Sequence, residues 1–553
     1  MDFMMIGPIR RWDPLLILLL SAGLVVAVIE VRTARPIRFI GHADPAVYAE
    51  MAESLITRGN LSVDYVSYYF IRYPGLPRPE DHWPPLYSFA IAPFFLLLGK
   101  SAFAAKLPSI LLFCFALPPL VRALAREVGG NRLAALLAGL GVLVHPALFE
   151  YSLQALSEIL LASIVGAFAL ALARSLDNPR WHLVAGLLMG LASYAKGSGL
   201  LLFGCYLLFQ AIARRERPFW RRLANRRVLL GLLSGFLVLA PWLIRNTVHF
   251  GDPLFTTHKF EMSRWNGRLE DDGFVLYEDG QRPPSFRDRF RDGWSASLDA
   301  LAGNLKLALW WFTLDLGSGF GSWRQVSAHT YLTHIPALLG FLFWFGNRKR
   351  HALWLVVVVQ LFFLSLAFVV IRRLAAPYVP LMLGMGWASL SAALVACVRR
   401  VVPRRGRIQR CAAGGALFAT GFVVAWSSVG AIQSAYARGG PPYEEVGRDF
   451  VGREYIDMGR WLRKNLPAGT VTATRDPWEL HFYSGQPAVQ IPNASAPKTF
   501  AALKSYGAEY IIPTRQRPQI DPLVSGKAPG LEIVYRNKWT ALYKIRYDLI
   551  PTE

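Results

Sequence analysis

The sequence predicts a polytopic α-helical membrane protein carrying a small C-terminal α/β domain outside the membrane. Three observations support this. Hydrophobic residues make up 53% of the 553 positions, and the mean hydropathy is +0.31, too apolar for an ordinary soluble chain and too long for a single anchor. The excess positive charge is packed into short loops between apolar runs. After about residue 431 the long apolar runs stop, and short alternating segments replace them.

The first apolar run, 14–30, follows Arg10 and Arg11 and has no small-residue cleavage site before Glu30. It reads as a retained signal anchor with a cytoplasmic N-terminus. Further candidate spans are 102–121, 131–147, 158–174, 181–195, 199–213, 228–244, 330–346, 352–371, 376–397 and 411–430, each near the length a helix needs to cross hydrocarbon. The segment 214–227 holds seven Arg and one Glu, and 399–410 holds six Arg. Short basic loops stay on the cytoplasmic side. Placing these two inside, with 122–132 and 347–351, makes about 11 spans alternate and puts the C-terminus outside. The net charge of +23 is thus a topology signal and implies no nucleic-acid partner. Two further apolar stretches, 85–98 and 301–316, break the alternation and are expected as re-entrant or interfacial helices on the outer face.

This topology divides the chain into a membrane domain over 1–430, with outer loops 31–101 and 245–329, and an outer domain over 431–553. In the latter, Tyr455, Met458, Trp461 and Leu462 recur at helical spacing, and β-like runs occupy 470–474, 487–491, 508–512, 531–535 and 539–545. The four cysteines, Cys114, Cys205, Cys397 and Cys411, lie in or beside apolar segments and offer no disulfide framework.

Candidate chemistry gathers on the outer side. Asp44 precedes Pro45 at the start of an amphipathic helix, a usual helix cap, and a carboxylate aimed by a helix start can also accept a proton. Glu158 opens a span, where the helix dipole favours an acid. Lys196, Arg245, Arg372 and Arg373 close or flank apolar runs. Lys and Arg often snorkel at span ends, but positive charge is disfavoured outside. A lipid phosphate would account for their recurrence there. His82 and His258 are the histidines that could serve as metal ligands, and whether a divalent metal is needed stays open.

Six pieces in order resemble the GT-C superfamily of polyprenyl-phosphate-dependent glycosyltransferases, in particular its protein O-mannosyltransferase and aminoarabinose lipid A transferase branch. They are Asp44 in the first outer loop, WPPLYSF at 83–89, Glu158 on the next outer loop, GLASYAKGSGLLLF at 190–203, PWLIRNTVHFGDP at 241–253 and IRRLAAPYVPLML at 371–383. His82 stands where the aminoarabinose transferases carry an acid. The resemblance implies a multi-pass plasma-membrane enzyme. It would take a sugar from a polyprenyl-phosphate donor and pass it, with inversion, to a lipid, glycan or protein acceptor at the outer face. Asp44 would be the base, Glu158 would orient acceptor or sugar, and Lys196, Arg245, Arg372 and Arg373 would hold the donor phosphate. The rival expectations are a transporter or lipid flippase, and a non-catalytic membrane scaffold. Inverted repeats with broken helices would mark the transporter, and none is evident in the sequence.

Overall fold

The computed structural model describes residues 13–213, 223–261, 274–277, 293–313, 348–367, 372–402, 406–438, 453–513 and 518–550, with isolated positions between 218 and 339. Asp13 caps the first helix, Pro14–Ala34, by accepting from the Leu15 amide. Six helices are long and apolar enough to cross a membrane: Pro14–Ala34, Ala102–Glu127, Arg226–Phe250, Lys349–Leu366, Arg373–Val401 and Ile408–Gln433. The pair Arg132–Leu143 and Pro146–Ser152, bent by 49°, makes a seventh if counted as one span.

Eleven full spans are therefore not observed among the described residues, and the reason is length. Trp181–Ala195 has 15 residues and Glu158–Arg174 has 17, about 22 and 26 Å at the α-helical rise, against a hydrocarbon core of about 30 Å. The run 330–346 falls mostly outside the described residues. The stretch at 85–98 forms the 13-residue helix Leu86–Leu98, which packs on the Asp44–Arg58 helix. The described part of the stretch at 301–316 belongs to a helix that begins earlier, Trp294–Thr313.

The membrane helices bury Phe113, Leu124, Phe168 and Trp387 between them, while Leu24, Leu237, Phe418 and Phe422 face outward and exposed. Apolar side chains on both the inside and the outside are what a bilayer solvent requires. Close packing also relies on small residues. An added Cβ at Gly186 would meet the Gly231 carbonyl oxygen at 2.0 Å, and one at Gly190 would meet that of Gly235 at 2.7 Å. This small-residue seam clamps Trp181–Ala195 onto Arg226–Phe250 and so fixes the helix end that leads into Lys196.

A six-stranded sheet lies beyond the membrane helices in the order β2-β5-β4-β6-β8-β7. Here β1 is Ser62–Val63, β2 Tyr65–Val66, β3 Arg78–Pro79, β4 Val471–Thr474, β5 Ala488–Gln490, β6 Ala508–Ile511, β7 Leu531–Arg536 and β8 Ala541–Ile545. The five C-terminal strands fall on the five β-like runs, and the helix Arg453–Asn465 buries Tyr455, Met458 and Leu462. The edge strand β2 comes from the loop 31–101, pairing parallel with β5 at Tyr65↔Ala488 and Val66↔Val489. The helix Gly406–Arg438 also runs unbroken through 430. The boundary expected at 430/431 therefore falls inside a helix, and the loop 31–101 and the C-terminal residues share one sheet.

Candidate active site

The turn ahead of Asp44 has an unusual backbone. Gly41 sits at φ +117° and Ala43 at φ +52°, a region that side chains with a Cβ disfavour. Ala43 is the N-cap and Asp44 the first residue of the Asp44–Arg58 helix, where Pro45 is pre-shaped for the opening turn. The N-cap residue, Ala43, offers no side-chain cap. The capping role that the Asp-Pro pair suggested is thus not taken up, and the Asp44 carboxylate instead accepts a hydrogen bond from Arg373. Burial alone would raise this carboxyl, but the charges of Arg373 and Lys196 and the Arg373 hydrogen bond hold it below its ordinary value. Asp44 is ionised at neutral pH.

Glu158, the first residue of its helix, is 1% exposed. One of its oxygens, Oε1, lies 2.7 Å from Lys196 Nζ and 2.9 Å from Arg373 Nε. Lys196 is held in extended backbone, φ −161° and ψ 146°, between the end of Trp181–Ala195 and the short 3-10 turn Gly197–Leu200. Arg373 lies in the turn Arg372–Ala375, stiffened downstream by Pro377 and Pro380. Lys196 and Arg373 therefore point at protein carboxylates and do not simply snorkel. Two acids and two cations form one balanced group, Asp44–Arg373–Glu158–Lys196.

The two cations of this quartet, Lys196 and Arg373, border empty space. A cavity of about 460 Å³ is lined by Lys196, Arg373 and Ser193, by apolar Leu239, Trp242 and Leu364, and at its polar end by Asp81, His82 and His258. A second cavity, about 170 Å³, is lined by Ile37, residues 39–42, Lys106 and Arg373. Arg373 lines both. The larger volume is that of a small-molecule pocket and is mostly apolar with a few converging charges.

The remaining candidates are placed differently. Arg245 lines neither cavity. It donates to Asn246 Oδ1 at 3.0 Å and to the Leu61 carbonyl at 3.4 Å, and it stacks on Trp242 and Phe250. The side chain of Arg372 lies outside the described residues. The rings of His82 and His258 are 3.7 Å apart, and His82 Nδ1 is 2.8 Å from Thr257 Oγ1. Among the described residues they gain no third ligand. The adjacent Asp81 carboxylate already accepts from Tyr73 and from Arg78, the latter at 3.2 Å. The compact group of potential ligands lies elsewhere, at Glu50, Glu53 and His481, where Lys100 and Arg58 already neutralise the acids.

Two features were missed in the sequence. The run RPEDH at 78–82 is a charge-rich signal on the page, and it folds into a buried network in which Arg78 faces Glu80 at 3.6 Å and Asp81 at 3.2 Å. Glu479, His481 and Tyr483 reach residues 38–50 from more than 400 positions away, a long-range pairing that no local pattern encodes.

Residues 82–244 match the family model for dolichyl-phosphate-mannose-protein mannosyltransferase, a segment that includes Glu158 and Lys196 but neither Asp44 nor Arg373. By sequence, no curated protein matches the chain. Among solved structures, ArnT from Cupriavidus metallidurans bound to undecaprenyl phosphate is similar with a TM-score of 0.61 and 15% identity, over 97% of this chain and 99% of that one. An oligosaccharyltransferase from Archaeoglobus fulgidus, tethered to an acceptor peptide, is similar with a TM-score of 0.57 and 14% identity, over 96% of this chain and 74% of that one. At such identities the likeness is one of fold. The chain has the fold of the GT-C glycosyltransferases, as the motif series from Asp44 to IRRLAAPYVPLML implies.

Proposed function

We propose that this protein is an integral-membrane glycosyltransferase that moves a sugar from a polyprenyl-phosphate donor to a hydroxyl-bearing acceptor at the outer face of the membrane. The carrying observation is that Lys196 and Arg373 line a largely apolar cavity and are themselves paired with the carboxylates of Glu158 and Asp44. The apolar wall suits the prenyl chain. The match of residues 82–244 to a family named for a dolichyl-phosphate donor, and the undecaprenyl phosphate held by the ArnT structure, support the same donor class.

In this mechanism the donor phosphate enters between Lys196 and Arg373, and Arg373 transfers part of its hydrogen bonding from Asp44 to the phosphate. Asp44 is then free to accept the acceptor's proton. The acceptor oxygen attacks the anomeric carbon from the face opposite the phosphate. The new C–O bond forms as the sugar–phosphate C–O bond breaks, and the configuration inverts. Asp44 is too weak a base to deprotonate a free hydroxyl, so proton transfer is concerted with attack. The leaving group is already a phosphate, and fixed cations stabilise the charge it gathers. Glu158 holds both cations at one point through its shared oxygen.

The test is a panel of radiolabelled polyprenyl-phosphate sugars, hexoses and pentoses, given to the purified protein with membrane-lipid, glycan and peptide acceptors. Transfer from one donor, with inversion at the anomeric carbon, is the expected result. Sugar left on every lipid donor across all acceptor classes overturns the proposal.

A further inference from the structure

The segment that aims Asp44 is held from the C-terminal part of the chain. The helix Pro477–Ser484 buries Trp478 and Phe482 in the same core as Tyr48 and Met51, so it is anchored beside the Asp44–Arg58 helix. From that base it makes polar contacts with the incoming strap. The Tyr483 hydroxyl accepts from the Ile40 amide at 2.8 Å and donates to the Arg38 carbonyl at 3.1 Å. Glu479 Oε1 accepts from the Ala43 amide at 3.1 Å and lies 3.1 Å from His42 Nδ1. Nearly two turns further along the Asp44–Arg58 helix, His481 Nε2 meets Glu50 Oε2 at 2.7 Å.

Of these contacts, the one from Glu479 bears most directly on Asp44. It fixes the amide of the residue immediately before Asp44, and that residue is Ala43, at φ +52° and ψ −95°. A non-glycine residue persists in such a conformation only where its surroundings over-determine it. Glu479 is 1% exposed, and its second oxygen has no hydrogen-bond partner among the described residues. Burying an acid this way is costly. An apolar side chain at 479 would avoid that cost but leave the Ala43 amide without its acceptor.

We propose that Glu479 is a positioning residue, holding the Ala43 amide so that Asp44 leaves the turn directed at Arg373, which lines the cavity. This rests on the proposed transferase role of Asp44 for its kinetic consequence, though not for the hold itself. Glutamine at 479 keeps an acceptor oxygen in the same place, whereas alanine and methionine do not. Misplacement of a reacting group by about 1 Å can cost about 10²-fold in rate.

The experiment uses the full chain in lipid nanodiscs, as wild type, Glu479→Ala, Glu479→Met, Glu479→Gln and Asp44→Asn. Two quantities are read: backbone hydrogen exchange over residues 39–44, and kcat and KM for a polyprenyl-phosphate sugar. Glu479→Ala and Glu479→Met are expected to exchange faster at Ala43 and Asp44, and to lose about 10- to 100-fold in kcat with KM nearly unchanged. Glu479→Gln is expected to behave as wild type in both. Methionine fills the space of glutamate, so a folded non-accepting variant is at hand if the alanine variant does not fold. Exchange at Ala43 unchanged in the folded non-accepting variants overturns the hold. Full kcat in those variants, with Asp44→Asn inactive, overturns the positioning role alone. An active Asp44→Asn overturns the transferase assignment of Asp44, and the exchange result then decides the hold by itself.

Discussion

Replacing Glu158 by glutamine should separate donor binding from turnover in opposite directions. The wild-type site balances two acids against two cations, and Glu158 Oε1 is shared by Lys196 at 2.7 Å and Arg373 at 2.9 Å. Glutamine keeps an acceptor oxygen but removes one negative charge. A phosphate bound on the far side of Lys196 lies about 6 Å from that charge, which at an effective dielectric of about 20 repels it by about 2–3 kcal/mol. Lys196 and Arg373 are 19% and 29% exposed, so water screens part of this, and about tenfold tighter binding of free polyprenyl phosphate is expected. Breaking a buried pair outright costs about 3–5 kcal/mol. With a neutral acceptor retained and the cations half-buried, the loss of folding stability should stay near 1 kcal/mol. Turnover should fall, because Arg373 loses the anchor that sets it between the two cavities and the product phosphate leaves more slowly. The assay is equilibrium binding of polyprenyl phosphate to purified Glu158→Gln beside single-turnover transfer. Weaker phosphate binding by a folded Glu158→Gln protein would refute the electrostatic reasoning and place the phosphate away from Lys196 and Arg373.

Arg245→Ala should leave the donor KM within about twofold while lowering thermal stability, because this guanidinium packs on Trp242 and Phe250 and lines neither cavity. A tenfold rise in KM would return it to the phosphate site. Lys196→Ala should raise the donor KM by about tenfold or more, the scale of a charge-assisted contact, and an unchanged KM would remove Lys196 from that site. The pairing of His481 with Glu50 predicts a pH window. Burial alone would lower His481, but Glu50 outweighs it and raises it. Burial alone would raise Glu50, but His481 and Lys100 outweigh it and lower it. A raised histidine stabilises fully below its unfolded value of about 6.5, and that stability is lost as pH rises through the folded value. The lowered Glu50 stabilises above its unfolded value of about 4.3, and its share is lost only in stronger acid. Thermal inactivation should therefore quicken between neutral and alkaline pH in the wild type, with a flatter profile over that range in His481→Gln. Parallel profiles would show that the pair carries no linkage. For topology, in a cysteine-free background, Lys464→Cys should react with a membrane-impermeant thiol reagent in intact cells and Arg400→Cys should not. The reverse pattern would place Asp44 on the inner face.

Much of the architecture was legible because bilayer and sheet each impose a period on the sequence. Among the described residues the apolar runs are helices, and the runs at 470–474, 487–491, 508–512, 531–535 and 539–545 each contain or closely match a strand. Span number was less legible. Composition marks 181–195 as apolar, but only the structure shows the helix ending at Ala195 so that Lys196 turns toward Glu158. Of the proposed site, Asp44, Glu158, Lys196 and Arg373 were singled out by their charge beside apolar runs, and the structure brings them together. Their union was not visible, because Asp44 and Arg373 are 329 residues apart. Arg245, singled out in the same way, contacts aromatic rings and a backbone carbonyl, which sequence does not reveal. The grip of Glu479 on Ala43 lay further out of reach, since the acid is two residues into a short helix where the dipole alone would explain it.

The most direct test of the central claim is transfer by Asp44→Asn with the donor that the wild-type protein uses. Asparagine preserves the size of the side chain and an acceptor oxygen for Arg373 but cannot take a proton. The protein should fold, bind polyprenyl phosphate, and lose about 10²-fold or more of its single-turnover rate, the scale of a positioned acid–base group. A folded Asp44→Asn protein that transfers sugar at close to the wild-type rate would contradict a catalytic Asp44 and leave it only as Arg373's ion-pair partner.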